Sequence, residues 1–151
     1  MKPILLVTCK AGSEKWCEEE IGNVLFIHDP DVKIVRTKYP GLLLVYSNLD
    51  PYKAYVYAVS SEYGYVKNII PVHIHDKFSL ENIDKILDIV GVRERIKVKL
   101  RIRGKRGLSK ILWKHIMDLL KSKNSVHDPR SNMCLYIEII NNDLFIGRAK
   151  C

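Results

Sequence analysis

Read from the N-terminus, the chain opens on an apolar run, Ile4-Leu5-Leu6-Val7, that predicts a short strand over Ile4–Thr8. Apolar residues then recur at Cys17, Ile21, Val24 and Leu25, the i, i+4, i+7, i+8 spacing of a helix's buried stripe, with Ser13 placed to cap it. Val32–Lys38 and Leu42–Ser47 read as two strands around Tyr39-Pro40-Gly41, a turn in which Gly41 is free to take positive φ. Asp50-Pro51 then opens a helix with Asp as N-cap and Pro at its first position. Its expected stripe is Tyr52, Tyr55, Val56 and Val59, and Gly64 is its expected stop. Val66–His75 reads as one strand, with Pro71 marking an edge or a bulge.

That order, β-α-β-β-α-β, is the split, ferredoxin-like arrangement, expected here over residues 1–76. It hosts many activities and identifies none. From 77 to 151 the pattern changes. Ser79 is placed to cap a helix carrying Leu80, Ile83, Leu87 and Val90, ended by Gly91. A strand over Ile96–Arg103 follows, then the loop Gly104-Lys105-Arg106-Gly107 and a helix over Lys110–Lys121 behind Ser109. A polar connector ending in Val126-His127-Asp128-Pro129 leads to two strands, Leu135–Ile140 and Leu144–Ala149, around Asn141-Asn142-Asp143. The fold class is therefore α/β (α+β) in two units.

Charge alters this picture in one place. Arg93–Lys110 holds nine Lys or Arg against Glu94 alone, while the remaining residues hold 16 of each sign, so this run accounts for the net +8. Within it, Ile96-Lys97-Val98-Lys99-Leu100-Arg101-Ile102-Arg103 alternates apolar and cationic residues strictly. A strand sends successive side chains to opposite faces, so four aliphatic groups meet a core and four cations share the other face, about 7 Å apart. An ordinary solvated strand face mixes signs; this one has no acid, which points to a regularly charged polyanion.

No catalytic signature accompanies the basic run. Glycine-rich dinucleotide and P-loop motifs are absent, as is the H-x-E with P-C-x-x-C of a zinc deaminase. Cys9, Cys17, Cys134 and Cys151 form no C-x-x-C pair and read mainly as small core residues, with a Cys9–Cys17 or cross-chain disulfide left open. His73 and His75 share one strand face beside Asp76, two ligands without a visible third, so a small metal-binding or regulatory protein is the alternative from another class. Glu18-Glu19-Glu20 reads as a solvated helix face, and Asp128 before Pro129 as a turn residue capping its own backbone. Tyr52 and Tyr55 read as core, whereas Trp113, between Lys110 and Lys114, is open to either role. No run approaches a membrane span and no signal-peptide layout is visible, which implies a cytoplasmic protein with no membrane partner.

The second half resembles the THUMP domain, a module of tRNA-modifying enzymes. The resemblance lies in the basic strand Val98–Gly104 ahead of a helix, then Ser125-Val126-His127-Asp128-Pro129, Leu135-Tyr136-Ile137-Glu138-Ile139 and Leu144-Phe145-Ile146-Gly147. A ferredoxin-like domain before THUMP is the family's usual layout, so the resemblance spans nearly the whole chain. It implies an RNA-binding protein without a catalytic residue, cofactor or metal of its own. The stand-alone members look most like this chain and imply an adaptor presenting tRNA to the N4-acetylcytidine-forming acetyltransferase. The alternative within the family is the RNA-binding subunit of another tRNA-modifying enzyme, a methyltransferase or a thiouridine synthetase. The expected RNA-binding residues are Lys97, Lys99, Arg101, Arg103, Lys105, Arg106, Lys110, Lys114 and Arg148.

Overall fold

A computed structural model describes residues 1–151 and divides them into two units, Met1–Val72 and His73–Cys151. The first contains β1 (Lys2–Cys9), α1 (Glu14–Phe26), β2 (Lys33–Arg36), β3 (Leu42–Ser47), α2 (Pro51–Val59) and β4 (Val66–Pro71). Its four strands lie in the order β2-β3-β1-β4, every neighbouring pair antiparallel, which is the ferredoxin-like topology. Cys17, Ile21 and Leu25 of α1 pack with Ile4, Leu5, Val7, Leu43 and Val45 of the sheet.

Three local expectations for this unit are corrected. The buried stripe of α2 is Ala54 and Ala58, small residues that let the helix lie close to the sheet, while Tyr52, at 63% exposure, Val56 and Val59 face outward. Ser13 makes no side-chain cap on α1, whereas Asp50 caps α2 by accepting from the Lys53 N–H at 3.1 Å. Nor is Glu18-Glu19-Glu20 only a solvated face. Glu18 pairs with Arg36, and Glu20 accepts from the backbone N–H groups of Gly64, Tyr65 and Val66 at 2.5–3.2 Å, clasping the turn after α2. Gly41 is required as expected: its φ is +74°, and a Cβ there would stand 2.4 Å from the Cys9 carbonyl oxygen.

The second unit begins earlier than residue 77. The stretch expected as one strand, Val66–His75, is split: β4 ends at Pro71, and Ile74–Lys77 forms β5, which pairs with β9 of the second sheet. After β5 come α3 (Leu80–Ile83), a 3-10 turn over Asp84–Asp88, β6 (Arg95–Arg103), α4 (Ser109–Ser122), β7 (Val126–His127), β8 (Met133–Ile140) and β9 (Asp143–Lys150). The sheet order is β5-β9-β8-β6-β7, with β6 parallel to both β8 and β7 and the other pairs antiparallel. One sheet face, with Ile96, Val98, Leu135, Ile137, Ile139, Leu144 and Ile146, buries Ile83, Ile86 and Val90 together with Leu112, Ile116 and Leu120 of α4. Ser79 caps α3 by accepting from Asn82 N–H at 3.0 Å; Ser109 is instead the first residue of α4, which has no side-chain cap.

Cys134 and Cys151 are joined in a disulfide, Cα atoms 5.8 Å apart, which the reading of these residues as core did not anticipate. Register explains it: Cys134 lies opposite Ala149, so the chain just past β9 returns beside it. Cys9 and Cys17 are free and buried, and burial raises both thiols. Closing a loop with a separation of 17 residues restricts the unfolded chain, so Cys151→Ser should lower stability by about 3 kcal/mol. Urea unfolding without reductant measures this. Reductant should bring the parent to the same midpoint, and a parent indifferent to reductant would show that the bond contributes nothing.

Candidate nucleic-acid interface

The cationic strand β6 pairs with β8 along Lys97–Arg103 but with β7 only at Arg95 and Ile96. Val98 N–H donates to His127 Nδ1 at 3.0 Å, and beyond that point β6 is a free edge of the sheet. The expected alternation holds: Ile96 and Val98 are buried and Leu100 and Ile102 lie against the core, so Lys97, Lys99, Arg101 and Arg103 occupy the opposite face.

These four are not equivalent. Lys99 and Arg101 are exposed, and the Lys99 ammonium sits 5.7 Å from the centre of the Tyr136 ring, its register partner on β8. Lys97 is half-buried. Arg103 is turned inward, its side chain only 11% exposed, with Nη1 3.3 Å from Oε2 of Glu138, itself 7% exposed. Burial pushes the Glu138 carboxyl above the ordinary carboxylate range, against the pull of Arg103 and Arg101. An Arg–Glu pair this far from water holds β6 to β8, and the sequence offers no sign that separates Arg103 from its exposed neighbours.

Lys105, Arg106, Lys110 and Lys114 gather elsewhere. Together with Leu100, Ile102, Gly107, Ser109 and Trp113 they line an open groove of about 620 Å³ between the free edge of β6, the following loop and the first turns of α4. Because Leu100 and Ile102 point to the helix side of the sheet, the groove opens on the side away from Lys99 and Arg101. The eight cations expected along β6, its loop and α4 thus straddle one edge. Gly104 and Gly107, both at positive φ, turn the loop that carries Lys105 and Arg106. Trp113, open to either role from the sequence, does both: it packs against the core and also forms part of the groove wall, where it meets the His127 ring edge-on, centroids 4.9 Å apart.

Arg148 lies apart from both groups. Its guanidinium donates to both carboxylate oxygens of Glu94, at 2.9 and 2.6 Å, and to the Ile89 carbonyl at 2.7 Å. The arginine beside it holds the Glu94 carboxyl below its usual range. This ties β9 to the segment before β6 and leaves Arg148 a structural cation. The histidines of the metal alternative are likewise engaged: His75 Nε2 is 3.2 Å from Asp143 with its ring on Phe145, and His73 Nδ1 accepts from Arg148 N–H. No three His, Cys, Asp or Glu side chains converge. Asp128 accepts from Arg130 N–H at 2.9 Å, the expected turn, and no helix is long and apolar enough to cross a membrane.

Neither a family model nor a curated protein matches the sequence. Solved structures do match. PH1313 from Pyrococcus horikoshii Ot3 superposes with a TM-score of 0.75 at 20% identity, covering 99% of this chain and 55% of that one. TrmN from Thermus thermophilus gives 0.66 at 11% identity, covering 97% and 45%. A 4-thiouridine synthetase in complex with RNA and ATP gives 0.54 at 17% identity, covering 99% and 42%. The mixed α/β fold, a ferredoxin-like unit and a second five-stranded unit, is shared with these proteins. The chain spans about half the length of these proteins.

Proposed function

We propose that this chain binds tRNA through its THUMP unit and presents it to a modifying enzyme, the N4-acetylcytidine-forming acetyltransferase, with no chemistry of its own. The observation that carries the reading is the placement of charge. Met1–Val72 holds eight Lys or Arg against eight Asp or Glu, whereas His73–Cys151 holds 17 against nine, the whole net +8. There six cations that form no salt bridge flank one free strand edge, exposed Lys99 and Arg101 on one side and the groove of Lys105, Arg106, Lys110 and Lys114 on the other. Such an edge meets a ribose-phosphate backbone through charge and shape, the way structured RNA is read when base edges lie in a deep groove. The RNA bound to the 4-thiouridine synthetase of similar fold supports the same reading.

That synthetase, and a possible methylase from Clostridium difficile 630 at a TM-score of 0.53, favour a second reading in which the partner is a thiouridine synthetase or a methyltransferase. Reconstitution separates the two. Purified chain incubated with unmodified tRNA and acetyl-CoA, S-adenosylmethionine or ATP should yield no modified base. Adding the acetyltransferase should yield N4-acetylcytidine at a rate that depends on this chain. A tRNA acetylated equally well without the chain would remove the acetyltransferase reading, and turnover by the chain alone would remove the adaptor reading altogether.

A further inference from the structure

We propose that the outward face of α2 binds a second copy of this chain, the two helices lying antiparallel about a two-fold axis at Val56. The inference does not depend on the RNA-binding reading. Tyr52, Val56 and Val59 recur at i, i+4 and i+7, one stripe on the side of the helix opposite Ala54 and Ala58. They are 63%, 40% and 46% exposed, so α2 is apolar both where it meets the sheet and where it meets solvent. A helix apolar on all sides is built to be covered on all sides. The neighbouring α1 adds to the same kind of surface. Phe26 and Ile27 at its end are exposed, and His28 just beyond stacks on Tyr57 of α2, ring centroids 3.6 Å apart. Large apolar side chains gathered on adjacent exposed helices mark a protein contact.

Charge selects the occupant. Lys53 is the only charged residue of α2, too little to hold a nucleic-acid backbone. The unit that carries the helix has no net charge, so two copies meet there without repulsion. The helix also complements its own reverse. Lys53 lies in its first turn, whereas its last turn has no basic residue and ends at exposed Ser60, with acidic Glu62 just beyond. In an antiparallel pair centred on Val56, Lys53 of each copy falls beside Ser60 of the other. There the helix dipole is negative and Glu62 is near. Tyr52 of each copy likewise falls against Val59 of the other, a large side chain beside a small one. In a two-fold interface every off-axis residue needs its complement across the seam, and an axial residue must tolerate its own copy. Val56, apolar and uncharged, does.

The test is sedimentation of the full chain without RNA, from micromolar to millimolar concentration, with circular dichroism as the folding control. The parent should pass from the mass of one chain to that of two. Val56→Lys and Val56→Glu should each stay at one chain throughout, because either sets like charges face to face on the axis. Mixing the two in equal amounts should restore the two-chain species, one of each variant. Lys53→Glu should raise the Kd of the dimer about tenfold, since two symmetric contacts with the helix end are lost. Lys53 is exposed, so this variant serves if a Val56 variant does not fold. A parent that stays at one chain overturns the proposal, whatever other protein covers the face. So does a Val56→Lys variant that dimerises like the parent, which places the contact elsewhere. A mixture of folded Val56 variants that remains at one chain overturns the two-fold pairing as well.

Discussion

Reversing Lys99, Arg101, Arg106 and Lys110 to glutamate should weaken tRNA binding at least a hundredfold near 0.1 M salt, whatever the RNA sequence. The expectation follows from counterion release: every phosphate that is no longer neutralised lowers the slope of log affinity against log salt by about 0.7–0.9, so four of them amount to several decades. Single Lys or Arg to Ala changes at these positions should each flatten the slope by about one unit. All four side chains are exposed and point away from the core formed by Ile96, Val98, Leu112 and Ile116, so the fold should survive. Circular dichroism checks that, and anisotropy at several salt concentrations gives the slope. A folded quadruple variant that binds tRNA like the parent would mean that this edge is an ordinary solvated surface.

Arg103 differs from those four, because its loss should be felt in stability before it is felt in binding. Arg103→Ala leaves Glu138 nearly buried with its closest ion-pair partner gone, and removing one member of a buried pair costs about 3–5 kcal/mol. Adding Glu138→Gln should restore most of the loss, since no charge then remains to be desolvated. The sign of the pH response distinguishes this account from simple loss of packing. The folded-state carboxyl of Glu138 is raised above its unfolded value, so its contribution is present at low pH and is lost as pH rises through the folded pKa. Without Arg103 the rise is larger. The deficit of Arg103→Ala relative to the parent should therefore narrow as pH falls from 7 toward 5. Urea midpoints of the parent, the single and the double variant across that range measure it, and a deficit independent of pH would assign the loss to packing alone.

Much of this molecule is local in origin and legible in the sequence alone. Alternation at period 2 makes β6 a strand with a cationic face, because the geometry of a single extended chain dictates where successive side chains go. The positive φ of Gly41 and the Asp50 cap are readable because each involves only a few neighbouring residues. The spacing of Cys17, Ile21 and Leu25 likewise suffices to locate one buried helix stripe.

What the tertiary structure decided is everything that depends on which residue stands opposite which. Tyr52, Tyr55, Val56 and Val59 form a plausible helical stripe, yet α2 lies on Ala54 and Ala58 and only Tyr55 of the four packs against the core, since close approach to a sheet favours small side chains over large ones. The run Val66–His75 has one uniform pattern, but two sheets compete for it, and pairing with β9 takes Ile74–Lys77 into the second unit. Among the nine expected cations, Glu138 across the sheet turns Arg103 inward, and Glu94 holds Arg148 in an ion pair of its own. The shortness of β7 leaves β6 with a free edge, and the loop after it carries Lys105 and Arg106 around to a groove shared with Trp113. Local sequence determined that this protein concentrates positive charge on one strand and its loop. The pairing of distant strands determined which of those charges are structural, which are free, and that the free ones face two sides of a single edge, because register and opposition are properties of residues far apart in the chain.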